Sequence, residues 1–215
     1  MSKKVQRNGF FITLEGPEGS GKSSQARWLA QRLRREGFRV VAMRDPGSTA
    51  LGRALRRVLL HAPAPLSPLQ EALLFIGGRV ALVEKRILPA LRAGRIVVCD
   101  RFHDSTVAYQ GFGGRLETRR LDRLGRRAIG DIMPTMTILL DLPVAAGFAR
   151  LHRSRDRMER KGRAFHARVR RGFLALARRD PRRFAVIRAA QPPETVRRQI
   201  ESIVLQRLVS RVTGH

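Results

Sequence analysis

Short runs of apolar residues alternate along the chain with longer segments in which apolar residues recur every three or four positions. Five runs rich in valine, isoleucine or phenylalanine predict buried strands, at 10–15, 38–43, 95–99, 136–141 and 184–187. The longer segments predict helices near 21–36, 49–60, 67–93, 103–110, 116–130, 143–153, 162–178 and 193–210. This alternation predicts an α/β fold, in which helices cover both faces of a parallel five-stranded sheet. Ligands of such sheets lie beyond the carboxyl ends of the strands.

Several predicted helices carry signals at their ends. Ser67 precedes Pro68, which combines a capping side chain with the residue favoured at the first helical position. Gly37 and Gly94 stand where two helices are expected to stop. The helix that follows Ser67 has a broad apolar stripe, long enough to serve a dimer interface as well as the core. Its members are Leu69, Ala72, Leu73, Ile76, Val80, Val83 and Ile87.

Length and composition favour one domain. The 215 residues, 43% of them hydrophobic, suit a single domain over 1–215, with residues 1–8 expected to form a flexible basic tail. The apolar run after this tail is too short for a signal peptide, and no run approaches the ~20 residues that a membrane-spanning helix needs. The single cysteine, Cys99, can form no internal disulfide, which favours the reducing cytoplasm, and its apolar neighbours predict that it is buried.

The charge balance is strongly basic. The chain has 44 lysine or arginine residues against 17 acids, a net charge of +27, which is compatible with a nucleic-acid partner. However, 39 of the 44 are arginine, which equally fits a bias of genome composition, and the charges are spread over several predicted helices. Only residues 150–183 are dense, with 14 basic residues against three acids. We therefore do not expect a nucleic-acid partner, although this reading stays open.

A glycine-rich stretch joins the first predicted strand to the first predicted helix. Residues 16–23, GPEGSGKS, match the pattern G-x-x-x-x-G-K-[ST], which wraps backbone N–H groups around the phosphates of a nucleoside triphosphate. Lys22 is predicted to reach the β- and γ-phosphates, whereas Ser23 and Asp100, the latter at the end of the third strand, are predicted to bind Mg²⁺. The predicted nucleotide-binding residues are Gly16, Pro17, Glu18, Gly19, Ser20, Gly21, Lys22, Ser23 and Ser24.

Four stretches follow one another in a characteristic order. They are GPEGSGKSS at 16–24, RDPGST at 44–49, LF at 74–75 with Arg79, and DRFHDSTVAYQG at 100–111. Together they resemble the thymidylate kinase family, which phosphorylates dTMP with ATP, over about residues 10–205. The last stretch is the most specific, because other nucleotide kinases lack it. The resemblance implies a P-loop NTPase fold with a short lid, ATP with Mg²⁺ as cofactor, a homodimer, and a role in dTTP synthesis.

The resemblance also implies how the acceptor nucleotide is held. Phe75 would stack on the thymine, and Arg79, four residues later on the same helix face, would donate to a base carbonyl. Thr106 and Gln110 would read the base edge, and Tyr109 would crowd the 2′ carbon and so favour deoxyribose. Arginines would hold the acceptor's phosphate. The implied substrate-binding residues are Arg44, Asp45, Arg56, Phe75, Arg79, Arg101, Ser105, Thr106, Tyr109 and Gln110.

Phosphoryl transfer needs alignment and positive charge around the moving group. By resemblance, Glu18 faces the acceptor and takes a hydrogen bond from the 3′-hydroxyl of dTMP. Because Gly19 leaves the phosphate loop without an arginine, the lid, about residues 153–162, is expected to supply one. The implied catalytic residues are Lys22, Glu18, Arg157 and Arg153.

The chain departs from the family pattern in places, and other functions stay open. Asp45 stands where glutamate is usual, and Gly77 and Gly78 weaken the base-binding helix, as expected where another chain or the ligand approaches closely. The alternatives are a kinase of another (deoxy)nucleotide or of a deoxynucleoside, a nucleic-acid-binding P-loop protein, and a regulator that has lost catalysis. Arg56 and Arg101 favour an acceptor that already carries a phosphate.

Overall fold

The five apolar runs form the strands of one parallel sheet. The computed structural model describes residues 9–61, 63–151 and 156–213. Within them the sheet has the order β2-β3-β1-β4-β5. The strands are β1 (Phe10–Glu15), β2 (Val40–Arg44), β3 (Ile96–Asp100), β4 (Met136–Asp141) and β5 (Phe184–Arg188). The prediction of a parallel five-stranded sheet is therefore confirmed.

The helices follow the predicted positions. They are α1 (Lys22–Arg35), α2 (Ala50–His61), α3 (Pro68–Leu82), α4 (Leu88–Arg92), α5 (His103–Thr106), α6 (Thr118–Ala128), α7 (Val144–Ala149), α8 (Arg163–Arg179) and α9 (Pro193–Thr213). Ser67 caps α3 as predicted: its hydroxyl accepts from the Gln70 backbone N–H, and the Gln70 side chain accepts from the Ser67 N–H. Gly37 and Gly94, with φ of +85° and +66°, end their helices as expected.

Three predicted helices differ in detail from the prediction, and one of them, expected over 143–153, already ends at Ala149 as α7. The segment expected as one helix over 67–93 consists of α3, a π-helical turn (Val83–Ile87) and α4. Pro89 accounts for the break, because its ring lacks an N–H and crowds the carbonyl four residues earlier, at Lys85. The segment expected over 103–110 is α5 followed by a π-helical turn (Val107–Gly113). Such turns are frequent at functional sites.

Each face of the sheet packs against its own apolar cluster. Ile12 and Leu14 of β1 join Leu29 of α1 and Ile200 of α9 on one face. Phe11, whose side chain alternates to the opposite face, packs in the cluster near α4. Cys99 belongs to this second cluster and is fully buried, which confirms the prediction made for it.

The register of the sheet gathers the ends of three strands at one edge. Asp100, the last residue of β3, pairs with Leu14 of β1 on one side and with Arg44 of β2 on the other. The chain therefore leaves β1, β2 and β3 side by side, and each of the three following segments carries residues of the predicted site. Within the described ranges, no helix combines the length and apolar character needed to cross a membrane.

The apolar stripe of α3 is divided between the core and the surface. Ala72 and Ile76 are buried, whereas Leu69 and Leu73 are 52% and 51% exposed. A Cβ added at Gly77 would meet nothing within 4 Å, so this glycine continues the exposed side of the stripe. The sequence pattern alone did not separate these two uses of the helix.

Several arginines of the dense basic zone have structural roles. Arg170 donates from Nε and Nη2 to both carboxylate oxygens of Asp141, at 2.7 and 2.8 Å. Arg183 likewise forms a bidentate ion pair with Asp104, and Arg168 donates to the Gly113 carbonyl. These bonds tie α8 and the start of β5 to the rest of the fold, which accounts for part of the arginine excess.

Candidate active site

The glycine-rich stretch forms the turn between β1 and α1. Gly16 has a φ of +144°, and a Cβ there would lie 2.4 Å from the Leu140 carbonyl oxygen, so only glycine fits. Gly21 adopts the left-handed conformation directly before α1. The turn therefore brings backbone N–H groups to the positive end of α1, which is the arrangement that binds phosphate.

Lys22, the first residue of α1, folds back over this turn. Its Nζ donates to the Pro17 carbonyl at 2.6 Å and to the Ser20 hydroxyl at 3.2 Å. Burial, and then repulsion from Arg101, lower the pKa of Lys22 to about 8. A phosphate in the turn would offer this ammonium group better acceptors than a carbonyl and a hydroxyl.

The two predicted metal ligands lie next to each other. The Ser23 hydroxyl donates to Asp100 Oδ2 at 2.6 Å, and Asp100 Oδ1 is buried without a hydrogen bond from the described residues. The described residues contain no group of three or more histidine, cysteine or carboxylate side chains that could hold a metal on their own. A cation bound here would need further ligands from phosphates and water.

A cleft opens beside the phosphate loop. It encloses about 660 Å³ including the solvent at its mouth, which is within the usual range for small-molecule sites. All ten predicted substrate-binding residues line it, together with Glu18. The ten residues come from the end of β2 and the loop after it, from α2, from α3, and from the segment after β3, so the fold assembles them from four separate stretches.

The polar end of the cleft is built around Arg79. This side chain is 2% exposed; its Nε donates to Asp45 at 2.5 Å, and its Nη2 donates to Thr106 and to the Phe102 carbonyl. Its Nη1 is buried and donates to none of the described residues, and the carbonyl oxygen of Gln110 is likewise buried and unbonded. Asp45 Oδ1 is a further buried acceptor without a partner among the described residues, and Phe75 lines the same cleft as these three atoms.

Three arginines line another part of the cleft. Arg44 Nε lies 3.3 Å from Asp100, and Arg101 Nη2 donates to Glu18 at 2.9 Å. Arg56 donates to the Pro46 carbonyl, and burial, then repulsion from Arg44 and Arg101, lower the pKa of Arg56. Like charges gathered in this way favour a bound anion.

Glu18 belongs to the phosphate loop, but its side chain points to the cleft. It accepts hydrogen bonds from Tyr109 at 2.6 Å and from Arg101 at 2.9 Å. Burial alone would raise the pKa of Glu18, but Arg101, Lys22 and the Tyr109 hydroxyl together lower it to about 2. Arg101 has a φ of +68°, a strained conformation of the kind found at functional sites.

Comparison with known proteins decides the family. The thymidylate kinase family model matches residues 14–200. A thymidylate kinase of Synechococcus sp. (strain JA-2-3B'a(2-13)) is 47% identical over 204 residues, which cover 95% of this chain and 98% of the relative. The chain belongs to the thymidylate kinase family. The resemblance read from the sequence motifs is therefore confirmed.

Other members of this family agree. The thymidylate kinase of Geobacter sulfurreducens is 43% identical over 212 residues, covering 94% of this chain and all of the relative. The crystal structure of thymidylate kinase from Ehrlichia chaffeensis matches with a TM-score of 0.75 and 34% identity, over 91% of this chain and 98% of that one. The match in structure confirms the predicted P-loop NTPase fold.

The lid is the part of the family pattern that the structure covers least. Asp156 begins a tight turn, since its carboxylate accepts from the backbone N–H of Met158 and of Glu159, and Glu159 bonds back to the Asp156 N–H. Arg157 donates to Glu71 at 2.8 Å and to the Leu59 carbonyl at 2.9 Å. The structure therefore does not bring it to the phosphate loop, and Arg153 lies outside the described residues.

Several residues that line the cleft were not predicted to do so, although Asp156, Met158 and Glu159 fall within the predicted lid. The cleft is also lined by Pro46, Leu59, Leu60, Asp156, Met158 and Glu159. The spacing of Asp156 and Glu159 is that of a capping box and could have indicated their turn. Glu71 is fully buried next to the cleft, but the sequence did not indicate a role for it, because an acidic residue is common in the first turn of a helix.

Proposed function

We propose that this chain transfers the γ-phosphoryl group of ATP to dTMP, which gives dTDP for dTTP synthesis. The observation that carries the proposal is the cleft itself: its lining combines Phe75, the unbonded Arg79 Nη1 donor and Gln110 acceptor, and three arginines, and Glu18 of the phosphate loop also lines it. This arrangement has the features that a pyrimidine nucleotide needs in order to meet a nucleoside triphosphate end to end.

The acceptor half follows from the lining. Phe75 stacks on thymine, Arg79 Nη1 donates to a base carbonyl, and Thr106 and Gln110 contact the base edge. Tyr109 fills the space beside the sugar. The acceptor's phosphate is held by Arg44, Arg56 and Arg101, whose mutual repulsion is relieved by the bound anion. Asp45 and Ser105 support this half indirectly, since Asp45 binds Arg79 and Ser105 accepts from Arg101.

The donor half uses residues 16–24 around the ATP phosphates, with Lys22 as the fixed positive charge. Ser23 and Asp100 are suited to hold Mg²⁺, because this ion prefers oxygen ligands and is commonly bound by one or two carboxylates together with substrate phosphates. The unbonded, buried Asp100 Oδ1 fits such a role. When bound, Mg²⁺ supplies charge neutralisation at the β- and γ-phosphate oxygens.

Glu18 orients the attacking group in this proposal. Its carboxylate is kept ionised by Arg101 and Lys22 and lies in the cleft rather than in the phosphate loop. It is therefore suited to accept a hydrogen bond from the 3′-hydroxyl of dTMP. A carboxylate in this position helps to fix the sugar and hence the phosphate that attacks ATP.

The lid, about residues 153–162, supplies the arginine that the phosphate loop lacks. Arg157 and Arg153 are the candidates for contact with the transferred phosphoryl group. Arg157 is bound to Glu71 in the structure, so this contact requires the ion pair to open when the lid closes over ATP.

We further propose that the enzyme is a homodimer. Leu69 and Leu73 expose about half of their surface on α3, and Leu51 and Val58 are similarly exposed on the adjacent α2. Gly77 continues the α3 face and lets a partner backbone approach closely. Light scattering is expected to give twice the chain mass for the wild type and the single-chain mass for Leu73→Glu. A monomeric wild type would contradict this part of the proposal.

The same proposal places the enzyme in the cytoplasm and gives it no nucleic-acid partner. Cys99 is buried, as in a protein that uses no disulfide, and several arginines of the basic zone are engaged in internal ion pairs. Any DNA binding that its charge produces is expected to be weak and to fall steeply with salt concentration. Gel retardation at 50 and 200 mM salt, on the order of the range in which such binding is lost, checks this expectation.

The experiment that tests the proposed function is an acceptor panel. ADP release from ATP is measured with dTMP, dUMP, UMP, dCMP and thymidine as acceptors. We expect dTMP to give the highest kcat/KM and thymidine to give no turnover, because the arginines require a phosphate. Preference for thymidine would indicate a deoxynucleoside kinase, and absence of turnover with every acceptor would overturn the proposal.

A further inference from the structure

Glu71 is a buried carboxylate to which the proposed function assigns no contact with either nucleotide. It lies in the first turn of α3, four residues before Phe75 and eight before Arg79, so the three side chains share one face of the helix. Its side chain is 1% exposed. Burying a carboxylate costs free energy of folding unless the charge is paired, so the partners of Glu71 determine whether it can be ionised there.

The partners of Glu71 come from two different parts of the chain. Oε1 accepts from Arg157 Nη1 at 2.8 Å and from Lys161 Nζ at 2.8 Å. Oε2 accepts from Gln110 Nε2 at 3.0 Å and also from Lys161, at 2.9 Å. Arg157 thus lies on one oxygen of the carboxylate, the Gln110 amide lies on the other, and Lys161 bridges the two.

This arrangement fixes which way the Gln110 amide points. A carboxylate can only accept hydrogen bonds, so Gln110 must turn its NH₂ group to Glu71. Its carbonyl oxygen is then the atom left for a ligand; it is buried and accepts no hydrogen bond from the described residues. Two other polar atoms of the cleft lining are buried and unbonded among the described residues: Arg79 Nη1, a donor, and Asp45 Oδ1, an acceptor next to Arg79.

The pair formed by the Gln110 acceptor and the Arg79 donor matches only some bases. Thymine and uracil present a ring N–H and a carbonyl, which complement Gln110 Oε1 and Arg79 Nη1. Cytosine presents a ring nitrogen that only accepts and an amino group that only donates, so its pattern is reversed. An amide turned the other way would lose the match with thymine and gain one contact with cytosine.

We propose that Glu71 is a positioning residue that sets base specificity by holding the Gln110 amide with its carbonyl toward the bound base. This inference rests on the proposed function, because it assigns the pyrimidine to the same cleft. Before the lid closes, Arg157 and Lys161 neutralise Glu71, and Arg157 also determines how a substituted side chain would lie there.

The decisive variant is Glu71→Gln. The new carboxamide has one oxygen, and Arg157, which donates to Oε1 alone in the wild type, attracts it to that position before the lid closes. Its NH₂ group then faces Gln110, which is expected to flip and to present its own NH₂ group to the base. We expect the ratio of kcat/KM for dTMP to that for dCMP to fall about tenfold or more, since a mismatched hydrogen-bonding edge costs on the order of this factor. An unchanged ratio in a folded variant overturns the proposal.

Three controls separate positioning from general damage. Glu71→Asp keeps an acceptor-only group, so both rates fall together and the ratio stays near that of the wild type. Lys161→Met removes a partner of Glu71 but leaves the hydrogen bond between Glu71 and Gln110 in place, so the ratio of kcat/KM for dTMP to that for dCMP is again expected to stay near the wild-type value. In a Gln110→Ala background, Glu71→Gln is expected to leave the ratio unchanged, because the residue through which it acts is absent. A ratio that moves in this background contradicts the assignment.

Folding and function are checked independently. Circular dichroism shows whether Glu71→Gln is folded. If it is not, the double variant with Lys161→Met replaces it, because one anion and one cation are then removed together. Unfolding of both variants would show a structural role for Glu71 and overturn the proposal. The wild type is assayed with dTMP first: no turnover there refutes the proposed function, whereas normal turnover with an unchanged ratio in Glu71→Gln refutes only this inference.

Discussion

The phosphate loop and the acceptor cleft adjoin each other but are built differently. The loop presents backbone N–H groups from one short stretch, shaped by glycines such as Gly16, and adds a single cation, Lys22. The cleft presents side chains from four stretches, and its central residue, Arg79, is locked by an ion pair to Asp45. Charge in the loop is therefore expected to serve the ligand, whereas charge in the cleft serves both the ligand and the fold.

Arg79→Met is expected to have the largest effect, because it should lower both the stability of the fold and the affinity of the cleft for dTMP. Removing the guanidinium leaves Asp45 buried and uncompensated, which costs about 3–5 kcal/mol of the free energy of unfolding. Urea unfolding measures this loss, and calorimetry measures the accompanying loss of dTMP binding. Arg56→Met, at a partly buried arginine without an ion pair among the described residues, is the matched control and is expected to lose dTMP affinity with little loss of stability. Equal stability losses in the two variants would contradict the comparison.

Lys22→Met tests the other side of the comparison. The loop's shape comes from its backbone, so the fold and dTMP affinity are expected to stay close to those of the wild type. The kcat is expected to fall by about 10²–10³-fold, as when one preorganised donor to a developing charge is removed. Steady-state kinetics and thermal unfolding measured on the same preparation separate the two effects. A stability loss as large as that of Arg79→Met would show that the loop is not built as described.

Glu18→Gln tests the residue that belongs to both regions. The amide keeps the size of the side chain but removes the charge that pairs with Arg101. We expect kcat/KM for dTMP to fall by about 10²-fold, the lower end of what a positioned acid or base contributes. The KM for ATP is expected to change little, because the side chain faces the cleft. An unchanged kcat/KM for dTMP would remove Glu18 from the mechanism.

The smallest expected effect is a pH dependence of kcat/KM for ATP, which arises from Lys22 in the phosphate loop. Folding lowers the pKa of Lys22 from 10.5 to about 8, so the folded enzyme loses this positive charge as the pH rises through about 8. The kcat/KM for ATP is therefore expected to decline above pH 8, about tenfold for each further unit. Lys22→Arg, whose guanidinium stays charged, is expected to lack this decline below pH 10, even at a lower overall rate. The same decline in both enzymes would assign it to another group.

The conformation of the phosphate loop could be predicted from the sequence because the residues that determine it lie in one contiguous stretch. A contiguous motif between a strand and a helix specifies the glycine conformations, and continuous apolar runs mark the strands on either side. Phe75, Arg79 and Gln110 could be placed in the acceptor site only through the family resemblance. Hydrophobic periodicity does not identify which buried charges will pair.

The contacts that organise the cleft could not be predicted, because their partners are far apart in the chain. Asp45 and Arg79 are 34 residues apart, and Glu71 and Arg157 are 86 residues apart. The two π-helical turns were also missed, since their pattern of apolar residues resembles that of an ordinary helix. One of them carries Tyr109 and Gln110 into the cleft, so the deviation from regular helix lies at the site itself.

The most direct test of the account is a crystal structure of the enzyme with dTMP. The account predicts that the thymine ring stacks on Phe75 with Arg79 Nη1 and Gln110 Oε1 within about 3 Å of its polar edge, and that the phosphate lies among Arg44, Arg56 and Arg101. Thymine bound outside this cleft, or bound in it with the phosphate directed away from these arginines, would contradict the account.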